Sequence, residues 1–188
     1  DPVGIGKSLA TFSAFAEGVS LYSAFAVLYS FQMRNLLKGI GQQMKWSVRD
    51  ESLHSKMGCK LFRHMCSQIP GLKEECEPHI YEAALTMHNA EMSYITKIFE
   101  MGDIENLTAY DLHHFIKKRV GDKIAELGYT NRKYKQWDWT EKSYDQKAVD
   151  KMAWFDHLTG GHTHTDFFAV RPTDYSKANE GEDFEDIW

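Results

Sequence analysis

Cysteine is scarce in this sequence, and positive charge is not in excess. The three cysteines are an odd number with no Cys-x-x-Cys spacing, which predicts a reduced, cytoplasmic chain. The 22 Lys and Arg residues are outnumbered by 27 Asp and Glu residues, and the net charge of -5 argues against general nucleic-acid binding. No basic segment is followed by a small-residue cleavage site, so we expect no signal peptide.

Charge is almost missing from one segment near the start of the sequence. Between Ser8 and Met33 the only formally charged residue is Glu17. Such a segment is long enough to cross a membrane, for which about 20 apolar residues suffice. Its carboxylate and its serines favour instead a helix that is buried on all sides in a protein core, so we expect no contact with a membrane.

The rest of the sequence predicts helices, because we find no internal repeat and no alternation of apolar and polar residues long enough to indicate a strand. Thr108 and Asp111 resemble the capping box at the start of a helix. The helices expected after the first one cover residues 36–69, 73–101, 109–127 and about 146–158. The 188 residues therefore suit a single all-α domain with a large core.

Two of these helices carry isolated acids among apolar residues. At 100° per residue, the apolar residues of the helix over 36–69 share an arc opposite its Lys and Arg residues. Glu51 lies at the centre of the apolar arc, and His54 lies within about 60° of it, so the pair should face the core. Glu17 is similarly isolated in the preceding helix. Buried carboxylates need compensating partners, since an isolated buried charge is strongly unfavourable.

These three side chains match half of a known type of metal site. A Glu from one helix and a Glu-x-x-His from another form half of the carboxylate-bridged dimetal site of ferritin-like bundles, and these donors suit iron or manganese. Antiparallel neighbouring helices would bring Glu17 and Glu51 to a similar depth. The alternative is structural: Glu17 pairs with a buried Arg, and Glu51 and His54 form a hydrogen-bond network.

A family resemblance is carried by four segments and by an acidic C-terminus with an apolar tip. The segments are FAEGVSLYSAFAVLYSF, RDESLHSKMG, AWFDHLTGGHTHTDFF and VRPTDYSK. Together they resemble the C-terminal half of the small, radical-generating subunit of class I ribonucleotide reductase. The resemblance implies a helical, ferritin-like fold whose dimetal centre oxidises a tyrosine or holds a high-valent metal cluster. It also implies that the oxidising equivalent passes to a cysteine of a separate large subunit, which reduces ribonucleotides.

The resemblance implies roles for several side chains. Glu17, Glu51 and His54 match the metal ligands of the family's second half. Asp50 matches the acid that hydrogen-bonds the metal-bound histidine of the other half and takes part in radical transfer. The expected pocket beside the metals is formed by Leu21, Phe25 and Ser47.

The C-terminal end of the chain is expected to bind the large subunit and to pass the radical to it. Residues 1–170 would form the C-terminal half of a ferritin-like domain, and residues 171–188 a flexible acidic tail. Tyr175 is the candidate radical relay of this tail. The residues expected to dock on the large subunit are Phe184, Ile187 and Trp188.

The sequence contains only half of the ligand set that the resemblance requires. A complete site needs another acid and another Glu-x-x-His. Asp111 and His114 have the right spacing, but capping already explains Asp111. Two further pairs run in the wrong order: His79 with Glu82, and His88 with Glu91. We therefore expect the Fe or Mn centre to be completed by the N-terminal half of the small subunit, within a dimer of small subunits that works with the large subunit. That half is either a separate polypeptide or the remainder of a longer chain of which this sequence is a part.

Two other functions are compatible with the same residues. One is a different ferritin-like dimetal oxidase or oxygenase, and in one version of it two copies of this chain complete the site by two-fold symmetry. The other is a non-enzymatic helical scaffold with relict ligands, which metal content would separate from both enzymes. The acidic tail ending in Trp188 favours ribonucleotide reductase, because an oxygenase needs no docking peptide.

Overall fold

The protein is built from helices joined by short connections. The computed structural model describes residues 1–155. The α-helices are α1 (Pro2–Ala10), α2 (Tyr22–Met33), α3 (Lys38–Gln68), α4 (Leu72–Ile98), α5 (Ala109–Glu126) and α6 (Gln146–Lys151). The other elements are a π-helix (Thr11–Ala16), two 3₁₀ turns (Phe99–Met101 and Glu141–Ser143), and a hairpin of strands β1 (Lys133–Tyr134) and β2 (Trp137–Asp138). Apart from that hairpin, the predicted all-α fold is confirmed.

The helix expected over residues 8–33 is divided into three parts. α1 already starts at Pro2, where the Asp1 carboxylate accepts hydrogen bonds from the first backbone N–H groups. The chain then passes into the π-helix and turns at residues 18–21 before α2 begins. Within this connection Leu21 has a φ of 70°, in the left-handed region that side chains rarely adopt.

The expectation that this first segment is buried on all sides is wrong. Phe12, Leu21 and Met33 are between 57% and 60% exposed, while Phe15 and Tyr22 are fully buried. The exposed side chains lie on faces that no element within residues 1–155 covers. None of the helices described there is both long enough and apolar enough to cross a bilayer.

The π-helix lies at the centre of the packing, because it contacts α3, α4 and α5. α1 also contacts both α3 and α4, which are joined by the turn at residues 69–71. Small residues permit this close approach: a methyl group at Gly58 of α3 would overlap the Ser13 side chain, and one at Gly18 would overlap Ser55. The segment that leads to Glu17 is therefore held tightly against α3.

The second half of the described chain confirms one prediction and adds one element. The Thr108 hydroxyl accepts a hydrogen bond from the Asp111 backbone N–H at 3.1 Å, so the predicted cap at the start of α5 is confirmed. The Asp111 carboxylate accepts from the Thr108 hydroxyl at 2.7 Å and not from the Thr108 backbone N–H, so this half of the capping box differs from the expected pattern. The hairpin of β1 and β2 was not predicted, because strands of two residues are too short to show alternation. It packs on α4 through Tyr134, which stacks on Tyr81 with ring centroids 4.8 Å apart.

Candidate metal centre

Three donor side chains converge at the junction of the π-helix and α3. Glu17 follows the last residue of the π-helix, and Glu51 and His54 project from successive turns of α3. One donor atom from each side chain lies within 4.8 Å of the others. The His54 Nδ1 atom is 4.0 Å from a Glu17 oxygen and 3.9 Å from a Glu51 oxygen. The convergence expected from the sequence is therefore present.

The three donors are accessible to different degrees. The exposed fractions of the Glu17, Glu51 and His54 side chains are 19%, 35% and 52%. The prediction that the α3 pair faces the core is thus wrong for His54, because no element within residues 1–155 covers that side of α3. The neighbouring Leu53 is 58% exposed for the same reason.

The donor set fits a cation better than it fits a self-contained hydrogen-bond network. Distances of 3.9 and 4.0 Å are too long for hydrogen bonds between His54 and the two acids. Two carboxylates facing one point repel each other unless a positive charge lies between them. Carboxylate oxygens with an imidazole nitrogen are ligands that iron and manganese accept. A metal-bound histidine usually donates its second ring N–H to a carboxylate or a carbonyl, and we expect the same of His54. No such partner of His54 is found among residues 1–155.

The backbone around Glu17 departs from an α-helix. Its N–H donates to the Phe12 carbonyl at 2.9 Å, and the Ser20 N–H donates to the Phe15 carbonyl at 2.9 Å, so both hydrogen bonds span five residues. Such wide turns are frequent at functional sites, since the extra residue changes the direction of the following side chain. Here the wide turn precedes the carboxylate that meets α3.

Two side chains that bond the segment after Glu17 were not predicted from the sequence to lie near the site. Glu91 of α4 is 6% exposed and accepts hydrogen bonds from residues at the start of α2. Arg119 of α5 donates to the Gly18 carbonyl at 2.6 Å, and its guanidinium lies 3.4 Å from the centre of the Tyr22 ring. Neither residue has a local sequence signal, because each acts on a segment far away along the chain.

A comparison with models of known protein families shows which family this chain belongs to. The family model described as ribonucleotide reductase, small chain, matches residues 3–137. The chain belongs to the ribonucleotide reductase small-chain family. Its helical architecture agrees with the ferritin-like fold of that family, so the fold prediction is confirmed.

Curated members of the ribonucleotide reductase small-chain family are similar along most of this chain. A probable ribonucleoside-diphosphate reductase small subunit (048L) of Invertebrate iridescent virus 3 is 28% identical over 177 residues, covering 93% of this chain and 44% of the viral protein. The probable small subunit 376L of Invertebrate iridescent virus 6 is 25% identical. The similarity covers 100% of this chain and 56% of the viral protein. Ribonucleoside-diphosphate reductase small chain 1 of Saccharomyces cerevisiae is 26% identical. The similarity covers 92% of this chain and 38% of the yeast protein. The chain thus spans about half the length of the relatives it matches.

The remaining residues expected near the metals occupy varied environments. Phe25 is buried and packs edge-on against Tyr22, with ring centroids 5.7 Å apart. Ser47 is half-buried, whereas Leu21 is 57% exposed and Asp50 is exposed. Within residues 1–155 Leu21 therefore does not belong to an enclosed pocket, and the roles of all four residues stay predictions.

The predictions for the C-terminal tail concern residues beyond 155, which lie outside the part of the chain that the structure describes. These are the boundary between residues 170 and 171, the relay residue Tyr175, and the docking residues Phe184, Ile187 and Trp188.

The pairs set aside as metal ligands have structural partners. The His79 ring and the Thr11 hydroxyl share a hydrogen bond of 2.9 Å, and the His114 ring accepts the Asp145 backbone N–H at 2.9 Å. Asp111 adds an ion pair with Lys151 at 3.1 Å to its capping role. Within residues 1–155, only Glu17, Glu51 and His54 form a group of three donors suited to a metal ion.

Proposed function

We propose that this chain supplies half of the iron or manganese site of a ribonucleotide reductase small subunit, together with the tail that acts on the large subunit. The observation that carries the proposal is the convergence of Glu17, Glu51 and His54 within 4.8 Å in a chain of this family. The names of its relatives, ribonucleoside-diphosphate reductase small subunits, support ribonucleotide reduction as the activity of the complete assembly.

Each residue of the site has a proposed task. Glu17, Glu51 and His54 hold the metals from one side, and the two carboxylates balance the metals' positive charge. When bound, the metal pair supplies the one-electron oxidising equivalent that starts ribonucleotide reduction. Asp50 is exposed on α3 next to Glu51, where it can accept a hydrogen bond from a histidine of a partner chain. Tyr175 would lose its phenolic proton and an electron together as the equivalent passes along the tail.

We propose that the partner is the N-terminal half of a small subunit, which carries the remaining acid and the second Glu-x-x-His. The α3 side chains beside His54 support this, because Leu53, Met57 and Leu61 are 58%, 58% and 52% exposed. Phe12, one wide turn before Glu17, is also 60% exposed. Ligands and apolar side chains thus lie together on a face that suits a further helical chain. A dimer of such small subunits would then bind the large subunit.

The test is the metal content of the assembly purified through this chain. We expect a second helical polypeptide carrying Glu-x-x-His to co-purify, and we expect about two Fe or Mn ions per assembled site by elemental analysis. Glu17→Ala and His54→Ala should each lower the metal content, whereas His64→Ala, at an exposed position of the same helix, should not.

Two results would contradict the proposal. A metal-loaded homodimer, identified by light scattering, would favour a dimetal oxidase or oxygenase completed by symmetry. A metal-free assembly would favour a scaffold with relict ligands.

A further inference from the structure

A buried carboxylate caps the helix that follows Glu17. Glu91 of α4 accepts hydrogen bonds from the backbone N–H of Leu21 at 3.2 Å, from that of Ser23 at 3.4 Å, and from the Ser23 hydroxyl. The N-cap position of α2 is occupied by Leu21, whose side chain cannot accept a hydrogen bond. Glu91 therefore supplies from another helix the acceptor that a Ser, Thr, Asp or Asn cap would normally provide.

This capped end belongs to the connection between Glu17 and α2. Residues 18–21 form a turn in which the Val19 and Ser20 N–H groups both donate to the Phe15 carbonyl. The Gly18 carbonyl and the Leu21 N–H are instead bonded by side chains of distant helices. Arg119 donates to the carbonyl of Gly18, at the start of the connection, while Glu91 accepts from Leu21 at its end. The two side chains come from different helices and together define the path of the chain directly after Glu17.

We propose that Glu91 is a positioning residue of the metal site. Its carboxylate holds residues 18–21 in the path that directs the Glu17 carboxylate towards Glu51 and His54. The negative charge is also favourable at the N-terminus of α2, where the helix dipole is positive. This inference rests on the proposed metal-binding function of Glu17. Residues that orient metal ligands typically change metal affinity by 10- to 100-fold when they are replaced.

Mn²⁺ titration of the full chain, followed by the EPR signal of free Mn²⁺, tests the inference. Half a ligand set binds weakly, so the titration extends to millimolar metal. We expect Glu91→Gln, which leaves a single acceptor oxygen for three donors, to weaken Mn²⁺ binding about tenfold. Glu82→Gln is the matched control, because Glu82 lies on the same helix, has a side chain that is 45% exposed and pairs with Lys135. It should bind Mn²⁺ like the wild type, and Glu17→Ala should abolish binding.

Amide hydrogen exchange of residues 17–23 without metal provides a second measurement. Glu91→Gln should speed exchange in this segment about tenfold, and Glu82→Gln should not change it. If Glu91→Gln fails to fold, Ser23→Ala removes one of the three donors and should give a smaller change in the same direction.

The outcomes separate this inference from the proposed function. Unchanged exchange over residues 17–23 together with wild-type Mn²⁺ affinity in Glu91→Gln would overturn the positioning role, even if the variant were less stable. If the wild type binds Mn²⁺ no better than Glu17→Ala, the metal assignment of this chain fails. The positioning role at a metal site then fails with it, and the exchange measurement shows by itself whether Glu91 still fixes the path of residues 18–21.

Discussion

His88 of α4 is a buried residue enclosed by aromatic rings. It is 4% exposed, and its ring meets those of Trp137 and Trp139 edge-on, with centroids 4.8 and 5.5 Å away. Burial lowers the pKa of His88 to about 4, and the positive charge of Lys117 acts in the same direction. His88 is therefore neutral at neutral pH, and protonation in the folded state is unfavourable.

Stability should consequently fall as the pH is lowered below about 6.5. In the unfolded chain His88 has its ordinary pKa of 6.5, so below that pH the unfolded state binds a proton that the folded state does not. The loss grows as the pH falls towards 4 and reaches roughly 3 kcal/mol at most. Urea unfolding between pH 7.5 and 5 measures it.

The matched variants distinguish His88 from the other histidines. His88→Gln should remove most of the pH dependence above pH 5, and the remainder should come from His113, whose pKa is also lowered by burial. His64→Gln changes an exposed histidine of α3 and should retain the wild-type dependence. Equal pH dependence in His88→Gln and the wild type would show that His88 is not the responsible group.

At the scale of elements, local patterns predicted the helices but not the breaks between them. The long amphipathic stripe predicted α3 within two residues at its start, and the Glu-x-x-His spacing located two of the three donors because it is local. The break at residues 18–21 has no such signal, since two of its backbone groups, the Leu21 N–H and the Gly18 carbonyl, are bonded by Glu91 and Arg119 from distant helices. The exposure of His54 has no local signal either, because it depends on which faces of α3 are covered by other elements.

The contact between α3 and the π-helix gives a test of this packing. Gly58→Ala should lower the free energy of unfolding by about 1–3 kcal/mol, because the added methyl group overlaps Ser13. The better helix propensity of Ala offsets part of this loss. Gly39→Ala, in the first turn of α3, has open space around the new methyl group and should be neutral or slightly stabilising. Urea unfolding followed by circular dichroism measures both, and equal effects would contradict the packing argument.

At the scale of the whole molecule, the acidic tail is expected to act separately from the metal site. Deletion of residues 182–188 should abolish ribonucleotide reduction by the complete assembly and leave its metal content unchanged, because the proposed anchors Phe184 and Trp188 are removed while Glu17, Glu51 and His54 are kept. Tyr175→Phe should preserve binding to the large subunit but stop turnover, because phenylalanine has no phenolic proton to lose. Unchanged affinity of the truncated assembly would refute docking, and an active Tyr175→Phe would move the relay to another residue.

The exposed face of α3 should determine whether the metal site can be completed. Leu53, Met57 and Leu61 recur every four residues, so they form one apolar strip along the helix, beside His54. Replacing Met57 and Leu61 together by Lys should leave the fold intact, since exposed substitutions usually change stability by less than about 0.5 kcal/mol each. The same double variant should prevent assembly with the partner chain, because the expected interface is largely apolar and larger than roughly 2,000 Å² in total.

Light scattering and metal content measure this effect on the purified assembly. The matched control is Lys56→Ala with Lys60→Ala, which changes two exposed residues of the same helix and leaves the apolar strip untouched. The control should assemble and bind metal like the wild type, whereas the double Lys variant should remain unassembled and lose metal. Because His54 borders the strip and is 52% exposed, losing the partner also leaves this ligand open to water. A double Lys variant that assembles with full metal content would place the partner on a different face of the protein.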